Sequence, residues 1–212
     1  MKSQALKTID LFAGIGGIRM GFELAFGDDV ETVFASEFDE HAVKTYGANF
    51  PTPARPSGSA TPMRVDPYVY GDITQISAED IPAFDICLAG FPCQAFSIAG
   101  SKMGFDDNFK GRSRGTLFFD VLRICEHHKP FVIFCENVKG LVMHDKGRTL
   151  EVIRGALRQI GYTVYDAVLN SKDYGVAQNR ERIYIVAFRN DIDASDFRFP
   201  EPVDERVVLR DI

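Results

Sequence analysis

The chain has 212 residues, 45% of them apolar and 25% charged, which fits a globular domain and excludes disorder, collagen-like repeats and small disulfide scaffolds. Lys plus Arg is 24 against 30 Asp plus Glu, a net charge of −6, and the four cysteines (Cys87, Cys93, Cys125, Cys135) form no Cys-x-x-Cys pair and have no His at ligand spacing, so no metal is expected. No apolar run reaches the roughly 18–20 residues of a membrane span, and the N-terminus lacks a signal-peptide pattern, so the sequence reads as a cytoplasmic protein with reduced thiols.

Strand and helix patterns alternate along the chain. Lys7–Phe12 is a short apolar run ended by a Gly-rich turn, and Ile15–Phe26 carries Ile18, Phe22 and Ala25 at helical spacing. Glu31–Glu37 is rich in β-formers. Asp39 then caps a helix with Ala42, Val43, Tyr46 and Phe50 on its apolar face. Pro51–Pro67 holds five prolines and reads as a surface excursion. Phe84–Gly90 and Phe131–Asn137 read as buried strands, joined by a polar, Gly-rich loop (Gly100–Gly115) and a helix from a Thr116 cap to about His128. Leu150, Ile153, Leu157 and Ile160 mark one face of a further helix, with Gly161 just past its end. Thr163–Leu169 and Arg182–Arg189 close the series as strands, antiparallel to each other.

Such alternation predicts an α/β fold with a doubly wound, mostly parallel sheet, whose ligands bind beyond the carboxyl ends of the strands. Charge is uneven along it. Residues 1–50 carry four basic and eight acidic side chains, residues 139–189 nine and five, and residues 190–212 three and seven. The basic stretch leaves room for a phosphate-binding face.

Chemistry-bearing residues fall just after the strands. Asp10-Leu11-Phe12-Ala13-Gly14-Ile15-Gly16-Gly17 is a Gly-rich turn that opens a helix, but its spacing is not Gly-x-Gly-x-x-Gly. Glu37 lies 20 residues after Gly17, where a carboxylate can take ribose hydroxyls. Together they favour a nucleoside-containing cofactor over a plain turn and a solvated Glu. Cys93 follows Pro92 at a strand exit, a pre-positioned place for a thiolate nucleophile, whereas Cys87, Cys125 and Cys135 sit in core patterns. Glu136 ends the strand after Cys135, at the same sheet edge, where burial could make it an acid or hydrogen-bond donor. Arg180 and Arg182 alternate with Glu181, so both can point one way toward a carbonyl or phosphate; alone they would be a solvated charge run.

The order DLFAGIGG, SEFD, GDIT, GFPCQAFS, ENVKG and QNRERIY resembles the DNA cytosine-5 methyltransferase family from about Lys7 to Arg189. The resemblance implies the seven-stranded, Rossmann-like sheet of S-adenosylmethionine-dependent methyltransferases. It implies that Phe12, Ala13, Gly14, Gly16 and Gly17 form the cofactor loop. Glu37 would hold the ribose, Phe38, Asp72 and Ile73 would meet the adenine, and Gly90, Pro92 and Leu117 would complete the wall. Cys93 would be the nucleophile and Glu136 would bind the cytosine edge, with Arg180 and Arg182 positioning base and nucleophile and Ser97 and Gln178 nearby. The loop 100–115 would close over double-stranded DNA, with Lys102, Arg112 and Arg114 on phosphates. No metal is required.

In that family a target-recognition domain and a final cofactor-pocket motif follow. Residues 1–189 are therefore expected to form the catalytic domain, and residues 190–212 resemble only the lead-in to that further half. The chain would then be a piece of a longer protein, a deliberately shortened one, or one subunit of a split methyltransferase that needs a second subunit for target recognition. Rival readings are a tRNA cytosine-5 methyltransferase, a truncated binding module without catalysis and, more distantly, a nicotinamide-dependent oxidoreductase.

Overall fold

The computed structural model describes residues 4–50, 69–92 and 117–203. The excursion at 51–67, the Thr116 cap, the loop 100–115 and the candidates Cys93, Ser97, Lys102, Arg112 and Arg114 lie outside the described residues.

Seven strands form one sheet: β1 (Leu6–Leu11), β2 (Val30–Ser36), β3 (Val69–Tyr70), β4 (Ile86–Ala89), β5 (Val132–Val138), β6 (Tyr162–Asn170) and β7 (Glu181–Arg189). Their order is β3-β2-β1-β4-β5-β7-β6. Every pair from β3 across to β5 is parallel, and β7 runs antiparallel to both β5 and β6. This is the α/β sheet expected from the alternation, with five α-helices among the described residues: α1 (Gly17–Phe26), α2 (Glu40–Asn49), α3 (Leu117–His128), α4 (Gly140–Met143) and α5 (Arg148–Gln159). None of them is long and apolar enough to cross a membrane.

All four residues of β4 are buried, as a central parallel strand covered on both faces requires. The main core joins Ile9, Leu11, Cys87, Ala89, Ile133, Cys135, Ile183 and Ile185 of the sheet to Phe118, Val121 and Ile124 of α3 and Ile153 and Leu157 of α5. A smaller cluster of Ala13, Ala35, Val43, Tyr46 and Val69 packs under α2. Cys87, Cys125 and Cys135 are free and buried, as their core patterns predicted.

Helix α1 starts at Gly17 instead of Ile15. The turn before it uses left-handed backbone at Phe12 (φ 56°), Gly14 (φ 54°) and Gly16 (φ 90°), which a right-handed helix cannot pass through. Gly16 admits no side chain, since a Cβ there would lie 2.1 Å from the Phe50 ring. Asp39 caps α2 as read, accepting from the His41 and Ala42 amides, and Gly161 takes its left-handed place after α5 (φ 97°). Residues 190–203 lie against the outer strands. Phe197 packs on Tyr165 and Phe188, the Tyr165 hydroxyl donates to Ala194 O, and Val203 N donates to Asp173 O.

Asp10 of β1 is 1% exposed, and neither of its oxygens makes a well-formed hydrogen bond within the described residues. Burial pushes its carboxyl up to about 8, while the nearby Tyr46 hydroxyl and Arg19 pull it only partly back. The folded chain therefore keeps this proton where the unfolded chain has lost it, and Asp10's contribution to stability falls as pH rises from about 4 and levels beyond about 8. Asp10→Asn cannot titrate. Its melting temperature relative to wild type should climb across that window, and a difference that stays constant with pH would refute the assignment.

Candidate active site

The carboxyl ends of β3, β2, β1, β4 and β5 lie along one edge of the sheet, and β7, being antiparallel, brings its amino end to the same edge. That is why Arg182, at the start of a strand, pairs in register with Val138, at the end of another.

Side chains and backbone tie these exits together. Glu37 N donates to Tyr70 O, and the buried Ser36 hydroxyl donates to Gly71 O, joining β2 to the segment that carries Asp72. Asp72 caps the following short turn by accepting from Thr74 N, so it is an exposed carboxylate with a set direction, while Ile73 is buried beside it. Ala13 N donates to Ser36 O and Gly90 N to Leu11 O, which places the Gly-rich turn between β2 and β4.

Glu37 does more than its spacing suggested. Its Oε2 accepts from Gly14 N at 2.9 Å, and its Oε1 accepts from Phe38 N and Asp39 N at 2.8 and 2.9 Å. Three of about four acceptor positions are thus spent folding the turn, and the fourth remains for a ligand. Phe38 follows, 66% exposed. Helix α1 begins with no side-chain cap and no acidic residue in its first turn, the positive end of its dipole thus uncompensated by side chains of that turn.

At the other half of the edge, Glu136 of β5 meets both predicted arginines. Its Oε1 lies 2.9 Å from Arg182 Nε and 3.7 Å from Arg180 Nη2, with a fifth of the carboxylate side chain exposed. Glu181, between them, points away and pairs with Lys139 at 2.7 Å. The alternation read from the sequence therefore puts both guanidiniums on the same carboxylate. Tyr184 sits opposite Glu136 in the ladder, and burial, aided by that carboxylate, pushes its hydroxyl pKa up. Gln178 is exposed on the loop before β7, and Leu117 is half-buried at the start of α3. Phe91 and Pro92 leave β4 next to Glu136's strand, and the side chain that joins them there is Asn137, whose Nδ2 donates to Phe91 O at 2.9 Å. Asn137 carries no role in the reading of the sequence; its one signal there is an amide within a β-strand, which must be satisfied when buried.

The family described as C-5 cytosine-specific DNA methylase matches residues 6–212. The chain belongs to this family. Type II methyltransferase M.NlaX of Neisseria lactamica is 54% identical over 207 residues, which cover 97% of this chain and 59% of that protein. M.HhaI of Haemophilus parahaemolyticus is 44% identical over 98% of this chain and 56% of that protein, and M.HpaII of Haemophilus parainfluenzae is 49% identical over 96% and 52%. The chain thus spans a little over half the length of these curated relatives. The crystal structure of S. pombe Dnmt2 methyltransferase shares the fold at a TM-score of 0.66 and 22% identity, over 94% of this chain and 54% of that one. Against this methylase family the edge divides cleanly. Residues expected at the cofactor lie on the β3-β2-β1-β4 side, and Glu136, Arg180 and Arg182 lie on the β5-β7 side.

Proposed function

We propose that this chain carries the catalytic residues of a DNA (cytosine-5-)-methyltransferase that acts in the cytoplasm on double-stranded DNA. The observation that carries the reading is the convergence of Arg180 and Arg182 on Glu136, one strand from the Phe91–Pro92 exit that leads into Cys93.

S-adenosylmethionine fits the other half of the edge. The uncapped N-terminus of α1 suits a carboxylate, a Cβ at Gly14 or Gly17 would meet nothing within 4 Å beyond its chain neighbours among the described residues, and Glu37 and Phe38 offer a ribose acceptor and an exposed ring. Phe12, Ala13, Gly14, Gly16, Gly17, Glu37, Phe38, Asp72, Ile73, Gly90, Pro92 and Leu117 would hold it. When bound, it supplies the methyl group that C5 takes up.

Cytosine C5 is a poor nucleophile. The Cys93 thiolate attacks C6, and the new S–C6 bond forms as the C5=C6 π bond breaks, which ends the ring's aromaticity and leaves that electron pair as enamine-like density at C5. Glu136 addresses the N3 edge of the base, where charge develops. Among the described residues both guanidiniums approach its Oε1, so Oε2 is the oxygen left for the base. After C5 is methylated, loss of its proton and expulsion of Cys93 restore the ring. The base must leave the duplex stack to reach this edge, at a cost of roughly a few kcal/mol. Ser97, Gln178, Lys102, Arg112 and Arg114 would contact the substrate, and choice of target sequence would rest with a recognition region or a second subunit.

The test is a denaturation-resistant adduct between the chain and a mixed-sequence duplex containing 5-fluorocytosine, formed with S-adenosylmethionine present. Fluorine cannot leave C5 as a proton does, so turnover stops at the covalent stage. Adducts with tRNA alone, or with neither nucleic acid, would overturn the assignment to DNA. A second expectation concerns the cofactor. Glu37→Gln replaces one acceptor oxygen by an NH₂ that faces backbone donors, so S-adenosylmethionine affinity by calorimetry should drop by about tenfold or more. NAD should not bind the wild type. An unchanged affinity in Glu37→Gln would remove Glu37 from the site.

A further inference from the structure

We infer that Asn137 is a positioning residue that sets where the chain enters Pro92–Cys93 relative to Glu136. The β4–β5 ladder pairs Ile86 with Val132 and ends at Ala89 with Cys135. Continued two residues further at the same offset, it would pair Phe91 with Asn137. No strand pairing exists there, and the Asn137 side chain spans the gap instead, its Nδ2 donating to Phe91 O at 2.9 Å.

Both ends of the amide are used. Oδ1 accepts from Val138 N at 2.8 Å while Nδ2 holds Phe91 O, so the group has one orientation and cannot flip without losing both bonds. Asn137 and Phe91 are 3% and 2% exposed, which makes an unmet donor or carbonyl here costly. The backbone of Asn137 is itself fixed by the ladder to Ile183 of β7, next to Tyr184, which faces Glu136. Asn137 is therefore anchored to the strand pair that carries Glu136 and Arg182, and through one hydrogen bond it fixes the carbonyl two residues before Cys93. The position of the Phe91 carbonyl relative to β5 is thus held by this side chain and not by sheet pairing. The inference rests on the assignment of Cys93 as nucleophile.

Asn137→Asp keeps the shape and the acceptor toward Val138 N but removes the donor to Phe91 O. In the full chain, hydrogen exchange, adduct rate and thiol labelling should change while affinities hold. Amide hydrogen exchange at Gly90 and Phe91 should rise about tenfold or more, while Ile183–Ala187 stay protected. The rate of adduct formation with 5-fluorocytosine duplex should fall about 10- to 100-fold, the size expected from misplacing a reacting group by about an ångström. The S-adenosylmethionine dissociation constant and the half-saturating duplex concentration should stay within about threefold. Iodoacetamide labelling at Cys93 should change in rate, with buried Cys87, Cys125 and Cys135 as internal controls for unfolding. Unchanged exchange at Gly90 and Phe91, or an unchanged adduct rate despite faster exchange, overturns the inference. If the wild type forms no adduct at all, the methyltransferase reading fails separately, and the exchange and Cys93 labelling still decide whether Asn137 holds this exit. Should the Asp variant not purify, Asn137→Ser, neutral and too short to reach Phe91 O, makes the same comparison.

Discussion

Cys93→Ser is expected to abolish adduct formation and methyl transfer while S-adenosylmethionine still binds. A thiol near its ordinary pKa supplies usable thiolate at neutral pH, and thiolate is a strong nucleophile toward an electron-poor ring carbon. A serine hydroxyl ionises far above neutral pH and has no base assigned to it here. The loss should be on the order of 10³-fold or more, roughly 4 kcal/mol of transition-state stabilisation. The other three thiols cannot substitute. Each is buried in the main core, and burial pushes the thiols of Cys87 and Cys135 well up, further from thiolate. Glu37, Phe38 and Asp72, the groups expected at the cofactor, lie on other strand exits and keep their own hydrogen bonds in the variant, so calorimetry should return the wild-type affinity for S-adenosylmethionine. Residual methyl transfer above about a tenth of wild type would remove Cys93 from the nucleophile role. Loss of cofactor binding as well would point to a misfolded edge.

What could be read from the residues was whatever depends on local periodicity or on one residue's backbone preference. Asp39 was legible as a cap because its side chain bonds amides two and three residues on, and Gly161 because a helix ending in left-handed backbone calls for glycine. The pairing of Arg180 and Arg182 followed from the two-residue repeat of a strand, which also sends Glu181 to Lys139. Strand β3, two residues long, was not legible, since it has no period to detect and exists only because Ala35 and Ser36 pair with it. Nor was the register shift between Thr8 and Ile9, where β2 has one more residue than β1. The start of α1 was misplaced because Gly16, between Ile15 and Gly17, takes a left-handed φ of 90° that the helical spacing of apolar residues does not reveal. The consecutive left-handed Asp145 and Lys146 before α5 escaped notice for the same reason. Glu37 and Asn137 form a third class. Their types and positions were visible, but their bonds cross 23 and 46 residues of chain, and contacts of that range become visible only once the strands are placed side by side.

Glu136→Gln should lower the adduct rate by about 10²–10³-fold, in the range usual for removing a positioned acid–base group, with little change in cofactor affinity. The amide keeps the size of the side chain and can still present an oxygen to Arg182, so the edge should stay assembled. It cannot pass a proton to or from cytosine N3, and it carries no charge to organise Arg180 and Arg182. Arg182→Lys separates the two contributions. Lysine keeps a positive charge near Glu136, but it lacks the planar fork that places Nε 2.9 Å from Oε1, so the carboxylate loses its fixed direction. If Glu136 must be aimed as well as present, Arg182→Lys should lose about tenfold or more in adduct rate, and combining it with Glu136→Gln should cost little beyond Glu136→Gln alone. Strict additivity in the double variant would mean that Arg182 acts on the substrate independently of Glu136. The pairing seen at the end of β5 would then be a consequence of proximity and not the means by which the acid is held.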